Sequence, residues 1–253
     1  MKVLACVKPV PDPSAPVSYT AQGRLDRSGK VVMDDADSYG VEVALRLAES
    51  TGGSVALASM NEFSDPAPLR AALAMGAEEA YVASDPRLAG ADALTSARVL
   101  AELVRRSGAD VVVTATESAD GYTGTLASQL AEVLGWPALT FANSVSVEGN
   151  EILIRRQSDG ESLDVSAPTP CVVSVTAGSV EPRYATFKGI VAAKSRPVTV
   201  LTLDDLGLSL DENRRHEVVS VEAAPGRAAG EKIVDDGQGA AAIVAYLESI
   251  KVL

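Results

Sequence analysis

Short apolar runs alternate with longer stretches whose apolar residues recur at helical spacing, and this alternation constrains the fold more than any other feature of the chain. Residues 3–7 are continuously apolar and read as a buried strand. Val41, Ala44, Leu45, Leu47 and Ala48 then define one face of a helix. Gly52-Gly53 marks a turn before a second strand over 54–59, and a helix over 65–75 carries Pro near its start and Gly76 at its end. A short strand at 80–83 leads to a helix over 92–106, where Leu94, Ala97, Leu100, Ala101 and Val104 form the stripe and Gly108 the stop. The Val-Val-Val run within 110–116 is another buried strand, followed by helix over 122–134. Strands separated by helices pair in parallel and need cover on both faces. The expected fold class is therefore α/β: a doubly wound, mostly parallel sheet with helices on both faces.

Beyond residue 140 the pattern changes. Residues 144–147 and 152–154 flank Glu148-Gly149-Asn150-Glu151 and read as a β-hairpin, and a strand at 171–176 returns to the sheet. Strand-like residues 198–203 lead into a Gly-, Ala- and charge-rich tail closing with a helix over 240–250. The expected division is an α/β body over 1–200 and a C-terminal extension over 201–253.

At 253 residues the chain is long enough for one large core, and with aromatics at only 4% that core must be packed mainly with Ala, Val, Leu and Ile. The formal charge of −12 argues against a general nucleic-acid binder and against attraction to anionic membranes. Against that background the cations Arg183, Lys188, Lys194 and Arg196 stand out. Two widely separated cysteines make no disulfide framework, so a cytoplasmic location is expected. The first apolar run is too short for a signal peptide, and no stretch approaches the length of a membrane span. The single histidine, His216, lies among Asn213, Arg214, Arg215 and Glu217, which suits exposure rather than catalysis or zinc.

In open α/β sheets, ligands bind beyond the carboxyl ends of the strands. Four loops converge there: Lys8 to Pro13 after the first strand, Asp34 to Asp37 before the first helix, Ser59-Met60-Asn61 after the second strand, and Glu117 to Thr125 between a strand and a helix. The last is the best phosphate candidate. Gly121 and Gly124 permit close backbone approach, Ser118, Thr123 and Thr125 supply hydroxyls, and a helix N-terminus follows. Glycine and threonine at such a turn equally suit plain capping, and that reading stands beside the first. Neither G-x-G-x-x-G nor G-x-x-x-x-G-K-[ST] occurs, which removes support from ordinary dinucleotide and nucleotide-hydrolase readings. Asp34, Asp35 and Asp37 could offer oxygens to magnesium, but acids before a helix more commonly cap it. Cys6, with no histidine beside it in sequence, reads as a packed thiol.

A separate segment begins at Glu181-Pro182. Arg183 and Tyr184 are residue types enriched in binding hot spots, and Phe187 stands between Thr186 and Lys188. Gly189 supplies backbone freedom, and 190–194 suits a short helical turn. An apolar anchor ringed by cations fits a partner with an acidic rim. The alternative is a surface loop whose Phe187 folds back onto the core.

Pro182-Arg183-Tyr184-Ala185-Thr186, Lys188-Gly189-Ile190 and the Ala-Ala-Lys ending at Lys194 closely resemble the recognition loop of the beta subunit of electron-transfer flavoprotein. Other segments resemble that family in the same order: Cys6-Val7-Lys8, the helix from Val41 to Leu47, Ala72-Leu73-Ala74-Met75-Gly76-Ala77, Thr123-Gly124, Leu134-Gly135-Trp136-Pro137 and Ala229-Gly230-Glu231-Lys232. The resemblance implies AMP held in this subunit by Cys6 through its backbone, by Asp34, Asp35, Ala36, Asp37 and Met60, and by Glu117, Ser118, Ala119, Asp120, Gly121, Tyr122, Thr123, Gly124 and Thr125. It implies a redox FAD held mainly by an alpha subunit in a heterodimer, with the extension wrapping that subunit. It also implies docking of acyl-CoA or other flavin dehydrogenases of the fatty acid oxidation type through Arg183, Tyr184, Phe187, Lys188, Ile190 and Lys194, and delivery to an acceptor such as a quinone oxidoreductase. On that reading the chain is an electron-carrier subunit with no catalytic residue, no nucleic-acid partner and no membrane insertion of its own.

The sequence departs from the family at two loops. Asp34-Asp35-Ala36 stands where Asn-Pro-Phe is usual, and Glu117 to Tyr122 replaces an acidic run. Three carboxylates near a phosphate would repel it unless they face elsewhere. Two alternatives remain: a bifurcating subunit with a second FAD in place of AMP, or a stand-alone AMP- or ATP-binding regulator.

Overall fold

The computed structural model describes residues 1–61, 67–158, 160–209, 218–222, 230 and 232–253. Its strands are β1 (Lys2–Cys6), β2 (Pro9–Pro11), β3 (Val31–Met33), β4 (Ser54–Asn61), β5 (Glu79–Ser84), β6 (Val111–Ala115), β7 (Ala138–Glu148), β8 (Glu151–Ser158), β9 (Glu161–Pro168), β10 (Cys171–Val175) and β11 (Val198–Leu201). Its α-helices are α1 (Asp35–Thr51), α2 (Ala67–Met75), α3 (Ala93–Ser107), α4 (Leu126–Leu134), α5 (Phe187–Ala193) and α6 (Gly239–Ser249). The expected helix start at Asp65, the His216 neighbourhood, Ala229 and Glu231 lie outside the described residues.

The expected α/β fold is what forms. A nine-stranded sheet runs β11-β5-β4-β1-β6-β10-β7-β8-β9. It is parallel from β11 to β7, and β7, β8 and β9 continue it as an antiparallel meander. The alternation along β1 shows why the early strands look uniformly apolar. Val3, Ala5 and Val7 face a core shared with α1 and α2, while Leu4 and Cys6 face a second core shared with α3 and α4. With both faces buried, no polar position is left in the period of two. Small residues fill both cores, as the low aromatic content demands.

Four details differ from expectation. The hairpin gains a third strand, β9, whose mostly exposed pattern and polar residues hid it. β2 and β3 form a separate antiparallel ribbon, with Pro9 opposite Met33, and the chain between them passes over the carboxyl end of the sheet. Helix α4 begins at Leu126, not near 122, because Tyr122 and Gly124 both take left-handed backbone angles, φ 47° and 61°. The body also extends past residue 200. β11 pairs with β5, Leu203 and Leu206 are buried in the second core, and the first compact unit spans Met1–Val219. The second unit, Ser220–Leu253, contains α6, none of whose residues is buried.

Candidate functional site

From β1, the chain builds the sheet first through β4 and β5 on one side and then through β6 and β10 on the other. The order therefore reverses between β1 and β6, a topological switch point of the kind at which open α/β sheets bind ligands. Buried carboxylates join these loops. Asp34 caps α1 by accepting from the Ala36 amide at 3.1 Å, and its second oxygen accepts from the Ala119 amide at 2.6 Å. The Asp34 amide donates to the Lys8 carbonyl, and the Lys8 amide donates to Asp37 Oδ2 at 2.6 Å. Burial pushes the Asp37 carboxyl well above the usual range; the Lys8 amide opposes this, and the nearby Asp34 charge adds to it. Asp34 and Asp37 are thus occupied by backbone donors, whereas Asp35 is exposed and Ala36 half-buried. Two of the three acidic residues that looked repulsive toward phosphate, Asp34 and Asp37, are the stitches between loops. Among the described residues no His/Cys/Asp/Glu group has a metal-binding arrangement.

The loop after β6 is shaped by tight approach. A Cβ on Gly121 would lie 2.8 Å from Ser118 Oγ and 3.5 Å from Lys8 Nζ. Lys8 Nζ donates to Ser118 Oγ at 3.1 Å and to Asp120 at 2.6 Å, and Arg27 pairs with the other Asp120 oxygen while donating to the Pro9 carbonyl. Burial resists ionisation of Asp120, but Lys8 and Arg27 outweigh it and lower its pKa. The backbone amides of Thr123, Gly124 and Thr125 have no partner among the described residues, and no side chain caps α4. Such a turn presents N–H groups and the positive end of the helix to an anion. Glu117 and Tyr122 are exposed beside it.

A cavity of about 450 Å³ opens at the carboxyl ends of β1 and β4, within the range of small-ligand sites. Lys8, Arg27, Met60, Asn61, Ser96 and Asp120 contribute to its wall, and Arg24 closes it from the chain between β2 and β3. Three cations face one carboxylate there, in a protein of net charge −12. Arg24 has no ion-pair partner among the described residues. The structure brings Met60 and Asp120 of the expected set into this wall; Asp34 and Asp37 work behind it, and Thr123, Gly124 and Thr125 are not part of it. Sequence reasoning missed Arg24 and Arg27 because the 12–30 chain carries no periodicity that would direct it over the sheet. Cys6 is buried in β1, and burial, then the Asp37 charge, pushes its thiol up to about 12, so it is not a thiolate nucleophile at neutral pH.

The segment over 181–194 lies apart from the cavity. Thr186 caps α5 by accepting from the Gly189 amide, so the helix starts at Phe187, earlier than expected. Phe187 is 83% exposed and Tyr184 91%, with Ile190 and Val191 half out of the surface. Phe187 therefore does not fold back onto the core. Lys188 and Lys194 are also exposed. Arg183 is different: its guanidinium is turned inward onto Glu42 and Glu49 of α1. Gly189 serves close packing rather than freedom, since a Cβ there would sit 2.3 Å from the Ala74 carbonyl oxygen at the end of α2.

The fold places the chain among α/β proteins whose ligand crevice lies at a switch point. Residues 22–206 match the family model described as "Electron transfer flavoprotein domain". Similar proteins include "Electron transfer flavoprotein subunit beta" of Mycobacterium leprae, 35% identical over 99% of both chains, and its namesake from Mycobacterium tuberculosis H37Rv, 34% identical over the same share. The "Caffeyl-CoA reductase-Etf complex subunit CarD" of Acetobacterium woodii is 31% identical over 83% of this chain and 81% of its own. The chain belongs to the electron transfer flavoprotein family, as a beta-type subunit.

Proposed function

We propose that this chain binds AMP in the cavity at the carboxyl ends of β1 and β4 and serves as the nucleotide-stabilised, partner-docking half of a heterodimer with an electron transfer flavoprotein alpha subunit. The observation that carries the nucleotide reading is the convergence of Lys8, Arg24 and Arg27 on one cavity at the carboxyl end of the sheet. Asp34 and Asp37 hold the loops in register by their backbone bonds, and Met60 supplies apolar wall for a base. An FAD held mainly by the alpha subunit would supply the redox chemistry of the heterodimer, between a dehydrogenase donor and an acceptor. This chain's residues bind, orient and dock. The acyl-CoA dehydrogenases of fatty acid oxidation and a quinone oxidoreductase are the proposed donor and acceptor, in the cytoplasm. Tyr184, Phe187 and Ile190 form the docking face, with Lys188 and Lys194 as its cationic rim. The exposed Ile243, Val244 and Tyr246 of α6 suit a role on the alpha subunit. Among the described residues no helix is long and apolar enough to cross a membrane.

A second reading has specific support. CarD and the "Acryloyl-CoA reductase electron transfer subunit gamma" of Anaerotignum propionicum, 28% identical over 81% of this chain, bear names that tie them to reductase complexes. On this reading a second FAD replaces AMP and electrons bifurcate. The experiment is a nucleotide count on the co-expressed heterodimer, denatured and resolved chromatographically. One FAD and one AMP per heterodimer support the first reading. Two FAD and no AMP overturn it in favour of the second.

A further inference from the structure

Glu42, Arg46 and Glu49 follow one another at i, i+4 and i+7 along α1 and so share one face of that helix. The Arg183 guanidinium completes the stripe. Its Nε donates to Glu42 at 2.7 Å and its Nη1 to Glu49 at 2.5 Å, while Nη2 reaches both carboxylates at 3.2 and 3.1 Å. The Arg183 backbone amide also donates to Glu42, and Arg46 links the other Glu42 oxygen to the Glu181 carbonyl. The Glu42 side chain is only 3% exposed, so this is a largely desolvated, forked pair rather than a loose surface contact. At the far end of the segment α5 is seven residues long, too short to hold its shape alone. It is seated on α2 through the Gly189–Ala74 approach and the Arg70 bond to the Ala193 carbonyl. Between these two fixed points stand Tyr184 and Phe187, almost wholly in solvent.

We propose that Arg183 is a positioning residue rather than a contact residue: locked onto Glu42 and Glu49, it holds the segment so that Tyr184 and Phe187 meet a dehydrogenase already ordered. The inference rests on the docking reading above. Two exposed aromatic side chains on a loose strand would have to be immobilised at every encounter, which weakens association. A carrier that must bind and release many times gains from ordering that is complete before contact.

The test uses the co-purified heterodimer and, as probe, an acyl-CoA dehydrogenase that reduces it. R183Q should raise KM for the heterodimer about tenfold while changing the saturated rate much less. It should also accelerate hydrogen exchange at the amides of residues 184–190. R183K, which keeps charge but not the fork, should fall between wild type and R183Q. R183Q/E42Q should be no worse than R183Q alone, since the two residues act as one pair. F187A should raise KM without altering exchange. If F187A raises KM and R183Q changes neither quantity, the positioning role is overturned while docking stands. If R183Q raises KM with unchanged exchange, Arg183 is a direct contact and the proposal is wrong. If F187A leaves KM unchanged, the docking reading falls and this inference with it. Should R183Q fail to fold, E49Q removes one arm at an exposed position, and faster exchange over 184–190 is still required.

Discussion

Replacing Gly189 with Ala places one methyl group where the structure has no room for it. In an ordinary helix this change stabilises, because Ala exceeds Gly in helix propensity by roughly 1 kcal/mol. The backbone at Gly189 is helical, so Ala meets no conformational objection. The objection is spatial: the new Cβ would stand 2.3 Å from the Ala74 carbonyl oxygen, against an ordinary contact of at least 3.4 Å. The obstacle is backbone, so no side-chain rotation relieves it, and α5 must withdraw by about 1 Å. Forced overpacking typically costs about 1–3 kcal/mol, which cancels or exceeds the propensity gain. Withdrawal also strains the Arg70 bond to the Ala193 carbonyl and uncovers the α2–α5 contact. Because α5 is short and peripheral, the loss should be local. Hydrogen exchange over 187–193 should accelerate, the global Tm should fall by only a few degrees, and KM for a partner dehydrogenase should rise severalfold. A variant with raised Tm and slowed exchange would show that propensity wins and that the close approach carries no constraint.

Three further outcomes follow from the same geometry. D34A removes the α1 cap and the acceptor for the Ala119 amide, and should destabilise by about 2–4 kcal/mol in chemical denaturation of the heterodimer. R24Q should weaken AMP retention about tenfold without changing the stability of the nucleotide-free protein, since Arg24 lines the cavity and has no ion-pair partner among the described residues; isothermal titration with AMP reads this directly. The docking segment should also loosen in acid. Glu49 is held below the ordinary glutamate value of 4.5 chiefly by its hydrogen bond from Arg183, and Glu42 is held below it by Arg183 and Arg46 against the opposing effect of burial. Their contribution is complete above pH 4.5 and is lost as pH falls through the lower folded-state values. Protection against hydrogen exchange over 181–187, corrected for the intrinsic pH dependence of exchange and followed from pH 6 to pH 3, should therefore fall only below 4.5 in wild type and show no such step in R183Q.

The fold was legible because burial on both faces leaves a strong record. The runs that became β1, β4, β6 and β10 are mostly apolar, and the stripes of α1 and α3 repeat at helical spacing with glycine at their ends. β9 left no such record: its side chains lie mostly in solvent, so its place is set by pairing with β8 and not by composition. The start of α4 was misjudged because helix-compatible residues continue upstream, while the left-handed angles at Tyr122 and Gly124 come from folding the loop against Lys8 and Asp34.

The site divides along the same line. Sequence by itself determined which loops crowd the carboxyl end of the sheet, because strand order and apolar runs dictate where the chain turns. It determined that Phe187 and Tyr184 sit among cations and polar residues. Only the tertiary structure decided what each charge does there. Asp34 and Asp37 became acceptors for amides of other loops, Arg24 and Arg27 were carried from an unpatterned stretch onto the cavity, and Arg183 was drawn inward onto α1. A charged side chain's role depends on which partners come within about 3 Å of it, and those partners lie up to 141 residues away in this chain. Periodicity records which face of an element is buried; it holds no record of what an ionised group meets across the fold.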